Sequence, residues 1–265
     1  RVNYWISITS LTEAFLTFGS VYAVMRYMSF PVQVALLVAS LSMATSPATV
    51  VRVINEQRSV GQVTERLLHL AVLNSIMAVF VFKVISALVM YRTSGDLWQA
   101  IYASIFLLAS SVAIGSLAGI IVPALLRSVH RTNTDSTLVF ALAVVVVVIL
   151  AHELRLSPVL ATVIFGLVAR HRRISLSPSQ RGFGAIGEML SVFLFMFIAS
   201  TLDWRHVVAG LSTGMCIVAV RQAAKFVSVV GFARVSGISL RKGAYLGIAM
   251  SPISAFVILI LEQSS

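Results

Sequence analysis

Long apolar segments separated by short polar loops dominate the pattern of residues along this chain. A window of about 20 residues, the length of helix that crosses a bilayer, identifies the transmembrane spans. Nine spans are predicted, with approximate bounds 4–25, 32–51, 67–91, 98–126, 137–151, 156–169, 183–202, 207–233 and 243–261. The pattern therefore predicts an all-α, polytopic membrane protein.

Two prolines interrupt predicted spans near their middle. Pro47 lies in the second span and Pro252 in the ninth. A proline inside a helix removes one hydrogen bond and clashes with the carbonyl four residues earlier, which here belongs to Met43 or Ile248. Hydrocarbon offers no replacement partner, so such backbone is tolerated only inside protein or beside a wet cavity. Paired broken spans are typical of a transporter's binding site, and the sequence predicts a transporter-type fold.

The composition and the charge distribution agree with a membrane protein. Hydrophobic residues make up 58% of the chain and charged residues 11%, whereas roughly a quarter of an ordinary soluble domain is charged. The single cysteine, Cys216, offers no disulfide framework. The formal net charge of +11 lies in short loops without interleaved aromatic residues, which argues against nucleic-acid binding.

The positive charges fall mainly on one side of the predicted membrane. Thirteen arginines and lysines precede the first span or follow spans two, four, six and eight, against four in the remaining loops. The positive-inside rule therefore places the start of this chain in the cytoplasm. The loop cluster of Arg170, Arg172 and Arg173 is either an anionic-lipid contact or a solvated loop.

The two proline segments resemble each other. Residues 43–51 and 249–257 share an order of small polar residues, Ser-Pro, small residues and apolar residues. The predicted topology makes spans two and nine run in opposite directions. The similarity therefore predicts an inverted repeat, as many transporters have.

Several segments, in order, resemble the monovalent cation:proton antiporter superfamily of the bacterial Na+/H+ and Kef potassium-efflux type. They are TSPATVVRV at 45–53, GQVT at 61–64, LAVLNSIMAV at 70–79, ELRLSPVLA at 153–161, FGLVA at 165–169 and the stretch 195–203. The resemblance implies an inner-membrane transport domain of two inverted bundles, with broken helices crossing at the site for Na+, K+ or H+. It also implies a fold from which about two initial spans and one final span are missing here. A homodimer or a larger membrane complex is a further expectation.

The third span departs from that family. Its members are expected to carry Asp-Asp or Asn-Asp where this chain has Asn74 and Ser75, and the second aspartate binds the exchanged ion. Serine has no titratable proton near neutral pH. Ordinary exchange is therefore not expected from this pair, and no nearby substitute carboxylate is evident from the sequence.

Three charged side chains within apolar spans are candidates for the site, because charge at membrane depth is usually functional. Arg221 and Lys225 are four residues apart and share a helix face. The resemblance places Lys225 where the family has a basic partner for its aspartate, and both a site role and bracing of the broken helices are open. Arg221 needs a partner such as Glu13 or helix-end carbonyls. Glu13 is either functional or hydrated from the cytoplasm.

Small and hydroxyl residues have two interpretations each. Thr45, Ser46 and Ser251 either line an ion path together with carbonyls freed at Pro47 and Pro252, or satisfy their own helices. The Gly115-xxx-Gly119 spacing indicates close helix packing or dimerisation.

The sequence contains no recognisable enzyme site. It has no Cys/His metal spacing, no phosphate-binding glycine loop and no nucleophile placed beside a histidine and a carboxylate. We therefore predict neither enzymatic activity nor a cofactor. Two functions are compatible with the pattern: transport by alternating access through a modified ion site, or a transport-inactive relative that serves as a scaffold, sensor or subunit.

Overall fold

The structure is a computed structural model that describes residues 4–94, 97–128, 133–154, 156–171 and 204–253, together with four single helical residues between 192 and 200. Every regular element in these ranges is an α-helix. The helices are α1 Tyr4–Tyr27, α2 Val32–Ser42, α3 Pro47–Glu56, α4 Gln62–Ser94, α5 Leu97–Ser128, α6 Asn133–Glu153, α7 Pro158–His171, α8 Trp204–Ala233 and α9 Leu240–Ala249.

Five stretches among the described residues are long and apolar enough to cross a membrane: Tyr4–Tyr27, Val32–Glu56, Gln62–Ser86, Ile105–Leu125 and Gly210–Ala233. Two shorter apolar helices, Val139–Glu153 and Leu160–Ala169, accompany them. The prediction of an all-helical, polytopic membrane protein is therefore confirmed. Most of the seventh predicted span, and the ninth beyond residue 253, lie outside the described residues, so the count of nine spans stays a prediction.

The chain divides into two compact units. Unit 1 comprises residues 1–89 and 202–265, and unit 2 comprises residues 90–201. In unit 1, α1 packs against α2 and α8, and α8 also packs against α9. In unit 2, α5, α6 and α7 pack against one another. The proline segments and the charged candidates all belong to unit 1.

Proline interrupts the helix in unit 1 as the sequence predicts. The second span is divided into α2 and α3, with non-helical residues 43–46 between them. Pro47 occupies the first turn of α3, where its missing N–H removes no intrahelical bond. The hydroxyl of Ser46 caps this helix by accepting a hydrogen bond from the backbone N–H of Thr49 at 3.3 Å. Near the other proline, α9 ends at Ala249 and residues 251–253 are non-helical.

The Gly115-xxx-Gly119 stripe of unit 2 is a packing surface for α7. A Cβ atom on Gly115 would lie 2.3 Å from the carbonyl oxygen of Ala161, and one on Gly119 would lie 2.7 Å from Cβ of Val168. Neither position has room for a larger residue. Of the two interpretations of this spacing, close helix packing is the one that the structure supports, because α7 covers the stripe.

Candidate functional site

The two proline segments meet inside unit 1. The backbone N–H of Ser46 donates a hydrogen bond to the carbonyl oxygen of Pro252 at 3.0 Å. Ser46 is almost fully buried. Its side chain caps α3, whereas its backbone N–H binds the segment that follows α9. The non-helical part of the second span therefore lies directly against the residues that follow α9.

Arg221 of α8 binds carbonyls from both proline segments. Its guanidinium donates to the oxygens of Ser42 at 2.9 Å and Ala44 at 2.7 Å, and to that of Ser251 at 3.0 Å. Helix C-termini carry partial negative charge, so the ends of α2 and α9 attract this cation. The sequence predicted either Glu13 or helix-end carbonyls as partners of Arg221. The hydrogen bonds of its guanidinium go to carbonyls.

Lys225, one turn along α8, has a different set of partners. Its ammonium donates to Oε1 of Glu13 at 2.5 Å, to the carbonyl of Met43 at 3.0 Å and to the hydroxyl of Thr45 at 3.1 Å. The Met43 carbonyl lies in the non-helical break, four residues before Pro47. Lys225 therefore supplies a donor for the broken backbone and a countercharge for the carboxylate.

Glu13 lies at the centre of the polar network. Besides Lys225, its carboxylate accepts hydrogen bonds from the hydroxyl of Thr17 at 3.2 Å and from Nδ2 of Asn74. The Asn74 Oδ1 in turn accepts a hydrogen bond from the hydroxyl of Ser10 at 2.7 Å. Glu13, Asn74 and Lys225 each expose 0% of their surface. Burial strengthens the hydrogen bonds among them, but removing the two charges from water costs free energy.

Two expectations about Glu13 are corrected by this geometry. The carboxylate is not hydrated from the cytoplasm, because neighbouring helices cover it completely. A substitute carboxylate does lie beside the 74–75 position, since Glu13 contacts Asn74 directly. Helix α1 thus places a carboxylate next to the position on α4 where the family resemblance implies an aspartate.

Ser75 and the hydroxyl candidates have mixed roles. The Ser75 hydroxyl lies within hydrogen-bonding distance of the Thr45 carbonyl, at 2.7 Å, and of the Ala71 carbonyl in its own helix, at 2.9 Å. Thr45 contacts Lys225 through its hydroxyl, whereas Ser46 caps α3. Ser251 contributes only its carbonyl in the interactions described, and its side chain is exposed.

Ser10 and Thr17 also belong to the network and were not predicted from the sequence, although a signal for Thr17 is present. Thr9, Glu13 and Thr17 follow each other at intervals of four residues and so lie on one face of α1. All three are buried. A polar stripe of this kind in an otherwise apolar span indicates a face that is turned toward protein rather than lipid.

With the basic groups protonated, the site combines two cations with one carboxylate. Arginine stays protonated in proteins and binds through a rigid fork of donors, whereas lysine is able to lose its proton. The two cations therefore differ chemically, and in the structure only Lys225 is hydrogen-bonded to Glu13. The side chains of the predicted lipid-binding cluster, Arg170, Arg172 and Arg173, lie outside the described residues.

Comparison with known proteins identifies the family. The model of the transmembrane sodium/hydrogen exchanger family matches residues 2–262, nearly the whole chain. A search of the curated proteins found no match. Members of this family are transporters and not enzymes, and the apolar helices agree with an integral, multi-pass membrane protein. The chain belongs to the sodium/hydrogen exchanger family of membrane transporters.

Proposed function

We propose that this chain is a monovalent cation:proton antiport domain that works by alternating access, with Glu13 as its ion-binding carboxylate. In this proposal the modified ion site has moved its acid from the 74–75 position of α4 to α1. Asn74 holds the relocated carboxylate in place. The exchanged ions are H+ and Na+ or K+.

The observation that carries the proposal is the buried contact between Lys225 Nζ and Glu13 Oε1 at 2.5 Å. Placing one charged group at a helix centre in a membrane costs about 2.5–3.5 kcal/mol even on translocon scales. Structural bracing alone does not require a carboxylate, because Arg221 already holds the broken segments through carbonyls. The Glu13–Lys225 pair is therefore the part of the network for which exchange gives the better explanation.

The chemistry of exchange follows from the partners of Lys225. A monovalent cation that binds Glu13 competes for the position of the ammonium group, which carboxylate, carbonyl and hydroxyl oxygens surround. When the cation binds, Lys225 leaves the carboxylate and releases one proton; when the proton returns, the ammonium displaces the cation. Charge balances, because one positive charge enters the site and one leaves it. Coupled exchange requires that Glu13 bind the cation and the ammonium of Lys225 in alternation.

Arg221 has a fixed role in this scheme. It cannot release a proton, and it holds both proline segments through the carbonyls of Ser42, Ala44 and Ser251. We propose that the two segments form an inverted repeat of crossing broken helices that moves as one body. Half-helix ends at one site offset each other's dipoles.

The remaining family properties are proposals of the same kind. The excess of positive charge in one set of loops supports a cytoplasmic start of this chain. A location in the bacterial inner membrane follows from the resemblance to bacterial antiporters. A homodimer and a lipid contact at Arg170, Arg172 and Arg173 follow from the resemblance and the sequence. Crosslinking of the protein in native membranes tests the homodimer. Dependence of chemical labelling of the three arginines on anionic lipid tests the lipid contact.

Exchange in liposomes tests the main proposal. Purified protein is reconstituted, a pH gradient is imposed, and uptake of Na+ or K+ is followed in the unmodified chain and in Glu13→Gln. We expect uptake that Glu13→Gln abolishes. The matched control is Glu56→Gln, because Glu56 is an exposed acid on α3 that pairs with Arg52 on the same helix, and we expect it to preserve uptake.

A transport-inactive domain is the second candidate, and one observation favours it. Each of the four carbonyls at the break, those of Ser42, Met43, Ala44 and Thr45, has a side-chain donor from the protein within hydrogen-bonding distance. A scaffold or sensor would need no more than this. Absence of any pH-driven uptake by the unmodified chain in an intact lipid membrane would favour this function and overturn the antiport proposal.

A further inference from the structure

A small cavity, partly open to its surroundings, lies in unit 1 next to the site. Its lining includes Thr9, Arg66, Leu70, Val229, Ser236 and Leu246. The interior offers about 10 Å³ to the centre of a water molecule, which is close to the least volume that holds one water.

Three helices each contribute a residue to the cavity lining that lies one helical turn from the polar network of Glu13, Asn74 and Lys225. Thr9 precedes Glu13 by four residues on α1, and Leu70 precedes Asn74 by four on α4. Val229 follows Lys225 by four residues on α8. Four residues of helix span about 6 Å, so the cavity continues the polar site toward the end of unit 1 where α1 and α4 begin and α8 ends.

Apolar side chains separate the cavity from the ion pair. Leu70, Val229 and Leu246 are each at most 2% exposed and belong to one hydrophobic cluster that includes Met250. Hydrated ions do not cross tightly packed apolar side chains, and hydrophobic constrictions gate permeation paths by excluding water. This cluster therefore has the composition of a closed constriction.

Arg66 ties the helices together at the far side of the cavity. Its guanidinium donates to the hydroxyl of Ser236 at 2.8 Å and to the carbonyl of the same residue at 2.5 Å. Nearby, the ammonium of Lys242 donates to Gln62 Oε1 at 3.3 Å. These bonds join the first two turns of α4 to the segment from the end of α8 to the start of α9.

We infer that this cavity is the closed entrance through which a hydrated monovalent cation reaches Glu13 from this end of unit 1, and that Arg66 bound to Ser236 is its latch. The identity of the ion and its destination at Glu13 rest on the proposed function, whereas the opening of the cavity to water and the latch do not. Releasing the latch separates α4 from α8 at the point where Leu70 and Val229 meet. Water then reaches Thr9 first and the ion pair afterwards.

Thiol labelling tests the inference in the full chain reconstituted in lipid vesicles. Thr9→Cys is introduced together with Cys216→Ser, which removes the native thiol, and the probe is a small cationic methanethiosulfonate reagent. Among the interactions of the described residues, the Thr9 hydroxyl donates to the Trp5 carbonyl of its own helix, so the substitution is mild. We expect slow labelling in this background and labelling at least about tenfold faster after Arg66→Gln, because charged hydrogen bonds stabilise the closed state.

Two further variants make the outcome decisive. Leu70→Ala opens the constriction without touching the latch, and we expect it to accelerate labelling even if Arg66→Gln does not fold. Arg241→Gln is the matched control, because Arg241 is an exposed arginine in the first turn of α9, and it should leave the rate unchanged.

Two results would overturn the inference. One is fast labelling of Thr9→Cys while Arg66 is intact, and the other is an unchanged labelling rate in both Arg66→Gln and Leu70→Ala. The exchange assay separates this result from the proposed function. Accelerated labelling combined with exchange that survives Glu13→Gln supports the entrance and refutes the role of Glu13.

Discussion

The two units solve the packing of apolar helices in different ways. Unit 1 buries a carboxylate, an ammonium, a guanidinium and an amide, those of Glu13, Lys225, Arg221 and Asn74. Among the described residues of unit 2, the buried polar side chains are the hydroxyls of Ser111 and Ser157. The Ser111 hydroxyl accepts a hydrogen bond from the backbone N–H of Ser157 at 3.1 Å. Unit 2 shows that packing alone needs small residues and hydrogen bonds between hydroxyl and backbone groups.

The difference indicates which features of unit 1 go beyond stability. Lipid is as apolar as leucine, so helices associate through close contact and interhelical hydrogen bonds. Unit 2 achieves close contact at Gly115 and Gly119. The four charged or amide groups of unit 1 exceed that requirement, and the free-energy cost of burying them is the reason for proposing that they form the exchange site.

Removing the ammonium should have the largest effect on stability. Lys225→Met leaves the Glu13 carboxylate buried without its countercharge, and breaking a buried pair in this way costs about 3–5 kcal/mol. The double variant Glu13→Gln/Lys225→Met should recover a large part of the loss, because no unpaired charge remains. Thermal unfolding in detergent measures both.

Arg241→Met is the control for this prediction, since Arg241 is exposed at the start of α9. A loss for Lys225→Met no larger than that of the control would show that the pair contributes little. Unit 1 would then resemble unit 2 in how it is held together.

Adding one methyl group in unit 2 should have the next largest effect. Gly115→Ala places a Cβ too close to the Ala161 carbonyl, and overpacking of this kind costs about 1–3 kcal/mol. Gly166→Ala on α7 is the matched control, because a Cβ there meets nothing within 4 Å and alanine favours helix by up to about 1 kcal/mol. Equal thermal unfolding temperatures for the two variants would contradict tight packing of α5 on α7.

Removing the cap at the break should have the smallest effect. Ser46→Ala removes the hydroxyl that accepts from the N–H of Thr49 and contacts its side-chain hydroxyl at 2.9 Å, and a lost cap costs about 1 kcal/mol. Ser239→Ala removes the corresponding cap of α9, where water replaces the hydroxyl because Ser239 is exposed. Unfolding temperatures should fall more for Ser46→Ala, and the reverse order would indicate that the break is solvated.

Local rules predicted the broken helix and one unsatisfied backbone group. The proline rule identified the carbonyl of Met43 as needing a partner, and Lys225 provides it. The face shared by Arg221 and Lys225 followed from their spacing in the same way. Both inferences concern residues within a turn or two of each other, where helix geometry fixes the relation.

The pairing of Glu13 with Lys225 could not be predicted from local rules. The two residues are 212 positions apart, and their contact depends on how α1 packs against α8. The same holds for the glycine stripe. Its spacing predicted a closely packed neighbouring helix, but it could not predict that this helix is α7. Sequence patterns identify which faces are buried, whereas tertiary packing decides what covers them.

Proton release on cation binding tests the central claim most directly, because it needs neither a gradient nor a complete transport cycle. Na+ or K+ is added to purified protein in weakly buffered detergent solution, and released protons are counted. The account predicts about one proton per chain, from the single ammonium bound to Glu13, and none from Glu13→Gln, with Glu56→Gln unaffected. Release that persists in Glu13→Gln, or a complete lack of release from the unmodified chain, would contradict the assignment of Glu13 and Lys225 as the exchanging pair.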